Sequence, residues 1–151
     1  MSTRLEQLAD RMDIQDLLID YCTAVDQGEI DRFDELFTPD AWIDYTAMGG
    51  EKGSLEEIKS YLKRVLPTFA RTQHMIANCR IWLEGDTARA RTLCHNPMVL
   101  AGEEDGEEHV AFYGLWYVDR LVRTEQGWRI SERLEEFGYA HNVPESFRPP
   151  R

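Results

Sequence analysis

The chain has 151 residues, 17 basic and 28 acidic, with a net charge of −11. That length suits one domain, and the acidity argues against nucleic acid as a partner, because such a surface repels phosphate backbones. An apolar fraction of 42% argues against disorder.

Residues 1–151 are expected to form a single domain, with a core over about 5–140 and an irregular, proline-containing tail over 141–151 that frays or folds over a pocket mouth. Thr3-x-x-Glu6 has the spacing of a capping box, and Leu5, Leu8 and Met12 follow it on a helical stripe. The phase shifts near Asp13, which is expected to cap a second run carrying Ile14, Leu17, Leu18, Tyr21 and Val25. Gly28 suits the left-handed position that ends a helix. Ile30, Phe33, Leu36 and Phe37 form a short further helix, stopped by Pro39. Ala41 to Ala47 reads as a strand, with Ile43 and Tyr45 on one face and Trp42 and Asp44 on the other. Gly49, Gly50 and Gly53 break it. Ser54-x-x-Glu57 is a second capping box, opening a stripe of Leu55, Ile58, Leu62, Val65, Leu66 and Phe69 that Pro67 terminates or kinks.

From Gln73 onward the texture is that of strands, near 73–83, 87–100, 109–123 and 127–137. Gly85-Asp86, the acidic run Glu103 to Glu108 and Gln126-Gly127 separate them as hairpin connections. The acidic run reads as a solvated loop without the spacing of a calcium site. Helices first and antiparallel strands after define an α+β class. The N-terminal helices are expected to pack on a strongly curved, mostly antiparallel sheet, giving a cone-shaped α+β barrel. Ala111 to Val118 is apolar at both parities, unlike a half-exposed strand. The helices are expected to cover one face and a second copy of the chain the other, giving a homo-oligomer, a dimer or higher. The alternative is that the tyrosines and Trp116 tolerate partial exposure.

Cys22, Cys79 and Cys94 are odd in number and form no Cys-x-x-Cys pair, so they read as buried thiols in a reducing compartment. The charged N-terminus lacks a signal-peptide stretch and no segment has the length of a membrane span. A cytoplasmic location with no membrane partner is the expectation. His74, His95, His109 and His141 lack ligand spacing, and glycine-rich phosphate motifs are absent, so neither a metal nor a cofactor is expected.

Asp26 is the most informative position. A carboxylate in the last turn of a helix faces the partial negative charge of the helix end, at a cost of roughly 0.3–1 kcal/mol. His74, in Arg71-Thr-Gln-His74 at the start of a strand, is the best candidate to offset it. A carboxylate beside an imidazole fixes its tautomer and stabilises the imidazolium formed when it takes a proton. Tyr45 and Tyr21 are candidate donors to a substrate carbonyl. Asn78 could add an amide donor from the same strand face as His74; the alternative is a polar residue near a sheet bulge. The concave side of a curved sheet leaves a conical pocket for a small hydrophobic substrate. Phe69, Met75, Met98, Phe112 and Trp116 are its expected lining, beside the two tyrosines.

These residues resemble the SnoaL-like group of the nuclear transport factor 2-like superfamily, whose fold is also cystatin-like. The carriers are Asp13-Ile-Gln-Asp-Leu-Leu, Tyr21-x-x-x-x-Asp26, Phe37-Thr-Pro-Asp40-Ala, Ile43-Asp-Tyr45, Thr72-Gln-His74, Gly85-Asp-Thr-Ala88, Tyr117-Val-Asp119 and Gly127-Trp-Arg-Ile130. Within the group the chain is most similar to scytalone dehydratase-like proteins. That resemblance implies a cofactor-independent lyase, with His74 as base, Asp26 as its orienter and Tyr45 as a catalytic tyrosine. Tyr21, Asp26 and His74 also look like a triad of bile-acid dehydratases, and the Asp–His pair like that of a dehydrochlorinase. Two departures stand out: Val25 replaces a second catalytic tyrosine, and a further histidine of the dehydratase has its nearest counterpart around Met98. Dehydration is the first expectation. Isomerisation or loss of halide on the same dyad is the enzymatic alternative, and a non-catalytic small-molecule-binding domain is the other.

Overall fold

The computed structural model describes residues 3–100 and 106–150. Helix α1 (Arg4–Gln27) opens the chain. Thr3 Oγ1 accepts from the Glu6 N–H, and the Glu6 carboxylate accepts from the Thr3 N–H, so two donors at the helix start are satisfied reciprocally. Gly28 ends the helix at φ 70°, where a Cβ would be strained. The two runs suggested by the sequence are one helix, because neither glycine nor proline interrupts residues 4–27. The phase shift appears in burial instead. Leu5, Leu8 and Met12 are exposed, whereas Ile14, Leu17, Leu18, Tyr21 and Val25 are buried. Buried Asp10 ties the helix to the sheet, accepting from Arg123 Nη2 at 2.7 Å and Trp128 Nε1 at 3.1 Å.

A single 3₁₀ turn and the short helix α2 (Phe33–Leu36) lead into strand β1 (Phe37–Asp44). Phe37, read from the sequence as helical, therefore starts a strand, and Pro39 lies inside it. The register of β1 shifts between Phe37 and Trp42, and such an irregularity tolerates a residue without an N–H. Strand β2 (Lys52–Ser54) runs into helix α3 (Leu55–Val65), capped by Ser54 and Glu57. Pro67 lies in the 3₁₀ turn that follows. The remaining strands are β3 (Arg71–Thr72), β4 (Met75–Glu84), β5 (Thr87–Leu100), β6 (His109–Thr124) and β7 (Gly127–His141). Part of the acidic run between β5 and β6 lies outside the described residues; Glu108, at its end, pairs with Arg71.

The described strands form one mixed sheet in the order β2-β1-β7-β6-β5-β3, with β4 also paired to β5. The pair β1–β7 is parallel and the other pairs are antiparallel. The sheet curls around α1, which touches both β4 and β7 although β5 and β6 separate them. Irregular register at Gly114–Leu115 and Arg120–Leu121 adds to the bend. At the first of these the strands approach so closely that a Cβ on Gly138 would lie 2.6 Å from the Gly114 carbonyl oxygen.

On the concave face, alternate residues of β6 (Ala111, Tyr113, Leu115, Tyr117, Asp119 and Leu121) are all buried. Arg133 reaches Asp119 there through two hydrogen bonds of 2.7 and 2.8 Å, with neither side chain exposed. The Arg133 guanidinium lies 4.0 Å from the Tyr21 ring and 4.1 Å from the Tyr117 ring, so its charge is held by two aromatic faces as well as a carboxylate. The three cysteines are unpaired, and burial pushes the Cys22 and Cys94 thiols up to about 11 and about 12. Among the described residues, no helix is long and apolar enough to cross a membrane.

Candidate active site

Asp26 and His74 meet. The end of α1 delivers Asp26 to the segment between β3 and β4, where the backbone leaves its ladder. Asp26 Oδ2 accepts from the His74 backbone N–H at 2.8 Å, and Oδ1 accepts from Thr72 Oγ1 at 2.8 Å. The same Oδ1 lies 2.6 Å from His74 Nδ1. The imidazole is thus gripped by its ring and its backbone, and Nε2 is the nitrogen left for a ligand. Burial acts to raise the Asp26 carboxyl. The hydrogen bonds from His74 and Thr72, with the attraction of the imidazole, outweigh it and hold the group below its ordinary range. An ionised Asp26 is therefore the resting partner of His74.

His74 opens onto a cavity of about 350 Å³, within the range of small-molecule sites. Tyr45 is not a strand residue: β1 ends at Asp44, and Tyr45 opens a 3₁₀ turn. The turn folds back through Gly49 and Gly50, whose Cβ would lie 2.7 Å from that of Tyr45. This fixes the Tyr45 phenol 2.6 Å from the Tyr21 hydroxyl, with both residues buried. Burial pushes both phenols well above their usual range, so they remain protonated donors at neutral pH. One O–H of the pair is used between them and the other is left to donate outward.

Phe69 and Met98 also line the cavity, as the sequence suggests. Three other expected lining residues, Met75, Phe112 and Trp116, do not, nor does the expected donor Asn78. Met75 and Trp116 stand on the opposite face of the sheet, Met75 about half exposed and Trp116 beneath the Arg91 guanidinium at 4.5 Å. Phe112 is on that face too, stacked on His95. Strand parity decides this: Phe112 and Trp116 alternate with the inward Tyr113, Leu115 and Tyr117. Asn78 has φ 47° at an irregularity of β4 between Ala77 and Arg80, which turns it to solvent. The bulge alternative is the one the backbone takes.

The sequence reading missed several lining residues. Tyr113 and Tyr117 were legible only through parity. Asn96, opposite Tyr113 in the ladder, carries an Oδ1 with no hydrogen-bond partner. Glu135 faces the cavity from β7 and has an unpartnered, solvent-sealed Oε2. The tail folds over the mouth: Phe147 and Arg148 line it, the Phe147 carbonyl accepts from Tyr113 Oη at 3.1 Å, and its ring packs 5.4 Å from that of Phe69. Among the described residues, no cluster of three or more His, Cys, Asp or Glu has the arrangement of a metal site.

Helices on the concave face of a curled mixed sheet give a fold of the cystatin-like kind. The SnoaL-like domain model matches residues 6–134, and the chain belongs to the SnoaL-like family. An uncharacterised protein of Mycobacterium tuberculosis is 48% identical over 129 residues, covering 85% of this chain and 86% of that protein. A candidate scytalone dehydratase of Novosphingobium aromaticivorans superposes with a TM-score of 0.81 at 17% identity, over 95% of this chain and 94% of its own. A hexachlorocyclohexane dehydrochlorinase gives 0.79 at 22% identity, over 95% of each chain. At these identities the two solved structures establish the fold alone.

Proposed function

We propose that the protein is a cofactor-independent lyase of the dehydratase kind, acting on a small hydrophobic substrate that carries a carbonyl. The observation that carries this reading is the 2.6 Å contact of Asp26 with His74, whose imidazole forms part of the wall of the cavity. His74 Nε2 takes the proton from the carbon beside the carbonyl. Asp26 holds the Nδ1–H and stabilises the imidazolium. The Tyr21–Tyr45 pair donates to the carbonyl oxygen as charge collects there. The hydroxyl on the next carbon leaves as water, with the imidazolium as the source of its proton. Double-bond migration or loss of halide begins with the same abstraction. The names of the two fold neighbours, a dehydratase and a dehydrochlorinase, agree with an elimination. The unpaired thiols agree with a reducing, cytoplasmic compartment.

A screen of cyclic hydroxy-ketones for loss of water tests the reading. Turnover by the wild type, lowered about 10²–10⁴-fold in His74→Ala at equal circular dichroism, is the expected result. Equal turnover by both removes His74 from the mechanism. The outer sheet face carries Phe112 and Trp116 with exposed Met75, Trp82 and Tyr139. We assign its cover to a second copy of the chain, so the mass in solution should be at least twice 17.6 kDa. A monomer at micromolar concentration contradicts that.

A further inference from the structure

We propose that Glu135 presents a carboxyl O–H as a further hydrogen-bond donor to a substrate oxygen, beside the Tyr21–Tyr45 pair. The inference rests on the cavity and the tyrosine pair above, and adds a residue that the Asp–His reading does not use.

Three observations lead to it. Glu135 pairs with Tyr117 across β6 and β7, and its side chain lines the cavity that His74 also lines. Its Oε2 is sealed from solvent and has no hydrogen-bond partner. Sealing one oxygen of an ionised carboxyl away from water without a partner costs more than sealing the same oxygen of the neutral acid, whose other oxygen stays open to the cavity. Arg133, two residues earlier on β7, gives its Nε and Nη2 hydrogen bonds to Asp119; its buried Nη1 makes no hydrogen bond, to Glu135 included.

The groups that bear on Glu135 come from every side of the cavity. Asp44 of β1 repels a second negative charge, and Arg133 of β7 attracts it. Tyr21 of α1, Tyr45, Tyr61 of α3, Tyr117 of β6 and Cys94 of β5 feel its charge and are neutral at pH 7. Burial dominates the sum, and the carboxyl is raised well above its ordinary range. A neutral carboxyl donating into an apolar site is an established way to hold an oxygen that gains charge. With one free phenol O–H and one carboxyl O–H, the site addresses both lone pairs of a carbonyl oxygen. The substrate class follows as a ketone or enone whose oxygen lies at the tyrosine end and whose acidic C–H faces His74.

The test uses 4-nitrophenol as the probe, because its ionised form imitates the oxygen at full charge. The full chain is labelled with ¹³C at the glutamate carboxyls, and the Glu135 signal is assigned by its absence in Glu135→Gln. At pH 7 that carbon is expected at the position of a neutral acid. Glu135→Ala should weaken nitrophenolate binding about tenfold, and Glu135→Gln, which keeps a donor, about threefold or less. An ionised Glu135 at pH 7, unchanged binding in Glu135→Ala, or nitrophenolate binding tightened about tenfold by Glu135→Gln overturns the inference. Should Glu135→Ala fail to fold, the carbon signal and Glu135→Gln decide. A neutral, nitrophenolate-binding Glu135 in a protein with no elimination activity would defeat the enzyme reading and leave this one standing. Loss of activity in His74→Ala alongside an ionised Glu135 would do the reverse.

Discussion

Glu135 lines the cavity and Asp26 stands behind its wall, one step back through His74; burial pushes both carboxyls toward the neutral form. Asp26 lies behind His74 and receives three donors, from Thr72 Oγ1, the His74 backbone N–H and His74 Nδ1. Glu135 lies beside the tyrosines with no donor on Oε2. The first is held ionised and the second neutral. Burial alone does not set the charge of such a carboxyl; the donors that a neighbouring segment supplies do. Here that segment is three residues long, Thr72 to His74, and it runs from the end of β3 into the break before β4. Two carboxyls tuned apart in this way are what a site needs to run base and donor chemistry together.

The comparison can be broken or sharpened by substitution. The largest expected effect is on the structural pair beneath the tyrosines: Arg133→Ala strands the fully buried Asp119 and should cost about 3–5 kcal/mol in urea unfolding. A loss below about 1 kcal/mol would mean that Asp119 finds another partner or takes up a proton at little cost. His74→Ala comes next, lowering turnover by about 10²–10⁴ and, since it removes a donor to Asp26, costing at least about 0.5–1.5 kcal/mol in stability. Thr72→Val removes one of the three donors to Asp26 and should cost only about 0.5–1.5 kcal/mol in stability. Unchanged stability there would show that Thr72 does not help hold the carboxylate.

The two carboxyls also predict opposite pH dependences. Asp26 binds its proton less readily folded than unfolded. Its stabilisation is full above its ordinary value of 3.8 and is lost as pH falls through its lower folded value. Asp26→Asn should flatten the loss of stability in that acid window. Glu135 binds its proton more readily folded. Its contribution is full below 4.5 and is lost as pH rises toward its folded value. Glu135→Gln should therefore gain stability relative to the wild type as pH rises from 4.5 to 8. Denaturation midpoints across pH 2–8 for the two variants separate these outcomes, and parallel curves would contradict the contrast.

Much of this site was legible from residue types. An acid at the wrong end of a helix asks for a partner, and Thr72-Gln-His74 offered one. Both capping boxes and the glycine stop of α1 follow from local chemistry that the tertiary fold does not override. What could not be read was parity. The segment from Ala111 to Val118 is apolar on both faces, so nothing local distinguishes Phe112 and Trp116 from Tyr113 and Tyr117. Asp119 held the clue, since a buried acid must face its arginine and thereby fixes the inward set. Bulges hide for a related reason. Asn78 tolerates a left-handed backbone, but one such residue does not announce where a ladder slips. Glu135 was hidden by the slip at Arg120–Leu121, which resets the parity of β7 relative to β6. The division of α1 at Asp13 failed because a change of buried stripe does not require a break in the backbone.

The central claim is that the imidazole oriented by Asp26 removes a proton from carbon. Exchange of solvent deuterium into cyclic ketones, followed by mass spectrometry with and without protein, tests it without requiring the natural substrate. The account predicts catalysed exchange by the wild type, slower exchange by Asp26→Asn and none above background by His74→Ala. Exchange by His74→Ala at the wild-type rate would contradict it.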